Sequence, residues 1–115
     1  MEIKFYEDRA GRVPVIEFLD SLDLKMRQKM LRAIQALQDI GMPFEFRYQS
    51  HWTMAYFEHR DKAETNISHM IYFFFISDRA VLTHGFMKKT EKTPLREKER
   101  AKKIRDDYIE RFGQR

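Results

Sequence analysis

The chain has 115 residues, which suffice for one domain with a modest hydrophobic core and leave no room for a second catalytic domain. Hydrophobic residues make up 43% and charged residues 35%, a balance typical of a globular chain rather than a disordered one. The absence of cysteine excludes disulfides and thiolate zinc sites, and the net charge of +4 indicates a mild preference for anionic partners.

Nothing in the sequence indicates a membrane protein. The first residues are charged and contain no hydrophobic signal core. The longest apolar run, residues 70–76, is far shorter than the roughly 20 residues that span a bilayer. We therefore expect a soluble, cytoplasmic protein that has no membrane partner.

The first third of the chain predicts a strand followed by two helices. Apolar and charged side chains nearly alternate over residues 2–7, the two-residue period of a strand with one solvent-exposed face. Pro14 suits the first turn of a short helix that extends to about Leu22, and Asp23 is a typical N-cap for a second helix that ends at Gly41. The apolar residues of the second helix recur at three- and four-residue steps: Leu24, Met30, Leu31, Ile34, Leu37 and Ile40.

The middle of the chain predicts an antiparallel meander. Segments rich in aromatic and β-branched residues cover residues 44–48, 53–60, 67–77 and 80–86. Polar residues 61–66 and the tight turn at 77–79 separate the last three. The segment from Ile67 to Ile76 is apolar on both faces through most of its length, so we expect a central strand that is covered on both sides.

The end of the chain predicts a long amphipathic helix. Residues 95–112 place Ala101, Ile104, Tyr108 and Phe112 on one stripe and basic side chains on the other faces. The expected fold is therefore α+β, in one domain that spans residues 1–115: a helix hairpin packed on a twisted antiparallel sheet of four to five strands, with a C-terminal helix.

A cationic segment connects the last predicted strand to this helix. It reads VLTHGFMKKTEKTP from Val81 to Pro94 and contains Lys88, Lys89 and Lys92. Positive charge at the end of a strand is suited to holding a polyanion.

The order of these elements, together with four sequence segments, resembles a family of bacterial toxins. The segments are GRVPVIEFLDSL, FEHR, HMIYFFF and LTHGFMKKTEKTP. They resemble the HigB-like toxins, the phage-derived addiction-module killers of the RelE/ParE superfamily. The likeness covers nearly the whole chain and is most specific in HGF-x-KKT-x-KTP. It implies a RelE-like toxin that a helix-turn-helix antitoxin neutralises and that enters the ribosome to cut mRNA in the A site.

The implied cleavage is a transesterification that requires no metal or other cofactor. It requires a base for the ribose 2′-OH, cations for the phosphoryl oxygens and a proton donor for the 5′-oxygen. By resemblance, Arg60, Lys88 and Lys89 match the cationic residues of the family. His69 stands where the family usually has an arginine, so it serves as an acid or base, or else the site is weak or inactive.

Three further residues are candidates for contacts with RNA. Trp52, in a polar loop, either stacks on a base or closes the core. His84, at the end of a strand, either meets the substrate or binds a backbone carbonyl. Lys92 extends the cationic segment. A metal site built from His51, Glu58 and His59 is disfavoured, because their spacing matches no recognised ligand motif.

Two alternatives to the nuclease stay open. The ParE branch of the same superfamily inhibits DNA gyrase without cutting any substrate, and the arginine missing at position 69 is compatible with that activity. A catalytically inactive remnant that still binds the antitoxin is the other alternative.

Overall fold

The computed structural model describes residues 1–41, 54–60, 66–75, 79–89 and 94–113.

The first strand, β1 (Glu2–Phe5), leads into a turn in which the Asp8 carboxylate accepts hydrogen bonds from the backbone N–H groups of Ala10 and Arg12, both at 2.9 Å. Gly11 completes this turn with φ of 87°, which glycine adopts at no steric cost. The predicted strand and turn are confirmed, although the strand is shorter than expected.

Two helices follow with almost no connection between them: α1 (Pro14–Ser21) and α2 (Leu24–Ile40). The proline that begins α1 needs no hydrogen bond in the first turn. Asp23 caps α2, since its carboxylate accepts a hydrogen bond from the backbone N–H of Met26 at 2.8 Å. Gly41 ends α2 with φ of 88°. Both predicted helices and their boundaries are thereby confirmed.

The buried side of α2 differs from the predicted stripe. Its buried residues are Met26, Met30, Ile34 and Leu37. Leu24, Leu31 and Ile40, which we expected on the same stripe, are 66%, 46% and 78% exposed. Leu24 and Ile40 are the two end residues of the helix, and Leu31 lies about 100° around the axis from its buried neighbour Met30.

The remaining strands form a sheet with β1 in the order β1-β4-β3-β2. Their bounds are β2 (Met54–Arg60), β3 (Ile67–Phe75) and β4 (Arg79–Lys88). All nine residues of β3 are buried, which confirms the predicted central strand. The α+β class is confirmed as well, with one difference: β1 pairs with β4 in parallel, so the sheet is mixed rather than antiparallel throughout. The predicted strand at 44–48 and most of both predicted turns lie outside the described residues.

The last helix, α3 (Leu95–Phe112), has the predicted bounds and covers the face of the sheet opposite to α1 and α2. Ala101, Ile104 and Tyr108 are buried against the sheet as expected, whereas Phe112 is 48% exposed. The sheet is therefore packed on both faces. None of the helices that the structure describes is long and apolar enough to cross a lipid bilayer.

Asp107 ties α3 to the beginning of the chain. Its carboxylate accepts hydrogen bonds from the hydroxyl of Tyr6 at 2.7 Å, from Nε of Arg9 at 2.8 Å and from Nη1 of Arg111 at 3.1 Å. These donors lower the pKa of Asp107 to about 2, the Tyr6 hydrogen bond being the largest cause. The burial of Tyr6 and the same hydrogen bond raise the pKa of its phenol to about 12.

A β-bulge in β4 determines which side chains face α3. Thr83 is an extra residue between two consecutive pairs of the β3/β4 register. In a regular strand the side chains of residues 81, 83, 85 and 87 would share one face. The extra residue shifts the alternation, so that the α3 face of β4 beyond the bulge contains His84, Phe86 and Lys88.

Candidate active site

The candidate site lies where β2, β3 and β4 are in register at one end of the sheet. One row of paired Cα atoms belongs to Arg60, Ile67 and Lys88. The row two residues further along, on the same face of the sheet, belongs to Glu58, His69 and Phe86. Neighbouring strands are about 4.8 Å apart, so the two outer positions of a row are about 10 Å apart. The pairing therefore brings the backbones of three predicted catalytic residues, Arg60, His69 and Lys88, into one region.

His69 is fully buried in this region. Its ring stacks on Phe86, with a centroid distance of 4.9 Å and an interplanar angle of 6°, and Tyr56 lies on a tilted plane 5.8 Å away. Nε2 of His69 lies 3.9 Å from Oε2 of Glu58. An imidazole with no exposed surface does not touch a substrate at the surface directly.

Glu58 was not among the catalytic residues predicted from the sequence, but it lies beside one of them, His69. Its side chain is 36% exposed, and its Cα pairs with that of His69. The carboxylate is thus an acid–base group at the surface, beside the position where an acid or base was expected. Alternation along β2 reveals which residues share a face with Glu58, but only the register between strands reveals that it adjoins His69.

Two of the three lysines in the cationic segment, Lys88 and Lys89, are described, and their environments differ. Lys88 is half-buried on the α3 face of β4, and Lys89 follows it in an exposed bend. Both line a shallow groove of about 400 Å³ together with Asn66 and Met87. This groove lies at the end of the row that contains Arg60 and Ile67, so its positive charge and the exposed carboxylate of Glu58 belong to the same end of the sheet.

His84 does not line the groove formed by Lys88 and Lys89, and its ring contacts a neighbouring residue of β4 and α3. Nδ1 lies 3.1 Å from the hydroxyl of Thr83, and Nε2 lies 3.1 Å from Oε1 of Glu97 on α3. Burial, followed by the positive charge of Arg100, lowers the pKa of His84. The neutral ring donates from Nε2 to Glu97, and the hydroxyl of Thr83 donates to the backbone carbonyl of Ile71 at 3.1 Å. Its complete burial disfavours the predicted contact with RNA and assigns His84 to the attachment of α3.

Several predicted residues lie outside the part of the chain that the structure describes. These are Trp52, Lys92 and the side chain of Arg60, together with His51 from the disfavoured metal site. Their predicted roles stay predictions. Across the described ranges, no three side chains of histidine, aspartate or glutamate are grouped so that they would hold a metal ion.

Comparison with known proteins identifies the family. The sequence model of the phage-derived Gp49-like proteins (DUF891) matches residues 17–106, which include every described residue of the candidate site. No curated protein matches the chain. The fold, with its helix pair, four-stranded mixed sheet and C-terminal helix, is consistent with that of RelE. The chain therefore belongs to the Gp49-like family of phage-derived proteins, a family associated with RelE-like toxins of addiction modules.

Proposed function

We propose that this chain is a HigB-like toxin of a type II toxin–antitoxin pair and that it is a ribosome-dependent endoribonuclease, which cuts translated mRNA in the A site. Its family and its RelE-like fold support the toxin assignment. The nuclease assignment depends on one observation. The exposed carboxylate of Glu58 and the side chain of Lys88 lie on the same face of the sheet, two register rows apart on the strands that flank β3, so a base and a cation border one region of the surface.

The reaction that these groups suit is an internal transesterification of RNA. The ribose 2′-oxygen attacks the adjacent phosphorus, the bond to the 5′-oxygen breaks, and the products carry a 2′,3′-cyclic phosphate and a 5′-hydroxyl. Glu58 accepts the proton of the 2′-OH. Lys88 and Arg60 stabilise the charge that develops on the phosphoryl oxygens. The leaving 5′-oxygen takes a proton from the exposed ammonium of Lys89 or from water.

His69 has a positioning role in this proposal. Its ring is held between Phe86 and Tyr56, and its Nε2 faces the carboxylate of Glu58 at 3.9 Å. The fixed ring lies beside the carboxylate and limits the positions that the carboxylate can take. The arginine that HigB-like toxins usually have at this position would instead place a permanent positive charge beside Glu58.

The proposal is tested by adding the purified protein to ribosomes programmed with a defined mRNA and mapping the new 5′ ends. We expect cuts at the A-site codon that require the ribosome and that disappear when the product of the neighbouring gene is added. Intact mRNA, from a protein that arrests growth on expression, would contradict the nuclease assignment.

The complete burial of His69 favours the main alternative, a non-enzymatic ParE-like toxin that inhibits DNA gyrase. In that case DNA replication stops while mRNA stays intact, and a supercoiling assay with purified gyrase detects the inhibition. A chain that neither arrests growth nor cuts RNA would instead be an inactive remnant that retains only antitoxin binding.

A further inference from the structure

An apolar groove lies between β2 and α3, adjacent to the candidate active site. It has a volume of about 210 Å³. Its floor and walls include Met54, Tyr56, Ile71 and Ala101, and Lys98 and Lys102 stand on its α3 side. An engineered cavity of about 150 Å³ holds benzene. The groove therefore has room for one aromatic or branched aliphatic side chain.

The charge around the groove favours an acidic occupant. Lys98 and Lys102 are four residues apart on one helix, so both point to the same side of α3. Among the described residues that line the groove, none is acidic. Lys102 has one ion pair, with Glu99 at 4.0 Å, in which both side chains are more than half exposed, so it is weak and easily exchanged.

The groove also adjoins an edge of the sheet. In the described sheet β2 is the last strand, and its side away from β3 pairs with no described strand. Tyr56, which is 52% exposed, presents apolar surface on this side of the groove.

We propose that this groove binds a segment of the antitoxin in which a large apolar side chain is flanked by carboxylates. The inference rests on the proposed function insofar as it names the antitoxin as the partner. The apolar side chain enters the groove, and the carboxylates pair with Lys98 and Lys102. Tyr56 lines the groove, its ring centroid lies 5.8 Å from that of His69, and Glu58 is two residues further along the same strand, so the occupant lies beside the candidate site. Binding here therefore inhibits the candidate site by covering the approach to it.

The proposal is tested on the purified chain by fluorescence anisotropy with short labelled peptides, in the absence of ribosomes and RNA. The first peptide has one phenylalanine flanked by glutamates. In the second, lysines replace the glutamates, and in the third, alanine replaces the phenylalanine. We expect saturable binding of the first peptide only, and weaker binding as the salt concentration rises, because surface charge pairs are screened.

Two variants locate the binding on the molecule. Lys98→Glu/Lys102→Glu is expected to weaken binding of the first peptide about tenfold, which corresponds to about 1.4 kcal/mol. Lys103→Glu changes an exposed lysine of the same helix that does not line the groove, so it is expected to change the affinity less than about twofold. All these residues are exposed, and circular dichroism checks that the variants are folded.

Equal losses in the two variants, or no saturable binding, would overturn the proposal. Sedimentation of the chain alone shows whether the groove holds a second copy of the chain instead of a peptide. A dimer that dissociates in the Lys98→Glu/Lys102→Glu variant would assign the groove to a second copy of the chain and would also overturn it. Because no RNA is present, a failure of the nuclease assignment leaves this result unaffected.

Discussion

Nε2 of His84 lies 3.1 Å from Oε1 of Glu97, inside the protein, and this contact joins β4 to the first turn of α3. Glu97 is only 14% exposed, and His84 is fully buried. An acidic residue in the first turn is also stabilised by the helix dipole. The attachment of α3 to the sheet therefore includes a histidine whose pKa is held below its ordinary value of 6.5 by burial.

We expect the free energy of unfolding to decrease as the pH falls below about 6.5. Burial lowers the pKa of His84 from its ordinary value of 6.5, so in acid the unfolded chain binds a proton that the folded chain resists. Above that value both states are neutral and this contribution to stability is fully present. Urea unfolding in buffers between about pH 7.5 and 5.5 measures the loss.

The variant His84→Gln is the control for this pH dependence. It removes the titrating group, so the unfolding free energy should change less steeply over the same pH range. Burial and Lys29 also lower the pKa of His59, which contributes with the same sign, so some dependence is expected to remain. Equal slopes for the variant and the unmodified chain would contradict the assignment.

The substitution Gly85→Ala is expected to destabilise the fold by about 1–3 kcal/mol. A Cβ atom at Gly85 would overlap the ring of Phe18, which packs on β4 from α1. The variant Phe18→Leu provides the matched background, because a smaller side chain leaves room for the added methyl group. Urea unfolding of both single variants and the double variant gives the coupling, and costs that simply add would contradict the overlap.

The substitution Asp107→Asn is expected to destabilise the fold by about 1–3 kcal/mol, because the charged acceptor of Tyr6 and two arginines is lost. The lowered pKa of Asp107 means that its contribution is present above the ordinary value of 3.8 and is lost as the pH falls towards 2. Urea unfolding at about pH 7 and pH 3 tests both statements. The difference between the two proteins should be smaller at the lower pH.

For the candidate site, Lys88→Ala is expected to lower mRNA cleavage on programmed ribosomes about 10²–10³-fold. Lys89→Ala is expected to have a smaller effect, since Lys89 lies in the exposed bend beyond β4. Lys103→Ala, on the exposed side of α3, is the control and should cleave normally. Equal activity of the Lys88 and Lys103 variants would remove Lys88 from the site.

Glu58→Gln is expected to lower cleavage by about 10²–10⁴-fold, because an amide has the shape of the carboxylate but does not accept the 2′-OH proton. Binding to ribosomes should be unchanged, and co-sedimentation measures it. His69→Arg, which introduces the arginine that the resemblance to HigB-like toxins implies at this position, should retain cleavage if His69 only positions Glu58. Full activity of Glu58→Gln would exclude the carboxylate as the base.

Local chemistry in the sequence predicted where elements begin and end. Asp23 and Gly41 delimit α2. The capping carboxylate and the glycine with positive φ each act within one turn of the helix end, so both can be recognised in the sequence. The buried face was harder to predict: Leu31 and Met26 both fit a helical period, and docking against the sheet determines that Met26 is buried. The parallel pairing of β1 was missed because alternation of side chains contains no information on strand direction.

Only part of the candidate site was predicted, because the rest depends on pairing between strands. Resemblance pointed to Lys88 and His69, but the neighbour of His69 depends on the register between β2 and β3, which brings Glu58 beside it. The burial of His69 likewise depends on Phe86 and Tyr56, which come from two other strands. Contacts between distant segments of the chain are set by tertiary packing, and a single sequence contains no direct record of them.

The bulge at Thr83 determines which of the two consecutive lysines, Lys88 or Lys89, faces α3. Beyond this residue, one insertion or deletion exchanges the two faces of β4. Because Lys88 and Lys89 are consecutive, a lysine would face α3 whether or not the bulge forms. The doubled lysine thus makes the charge at this end of the sheet tolerant of a one-residue slip in the register of β4.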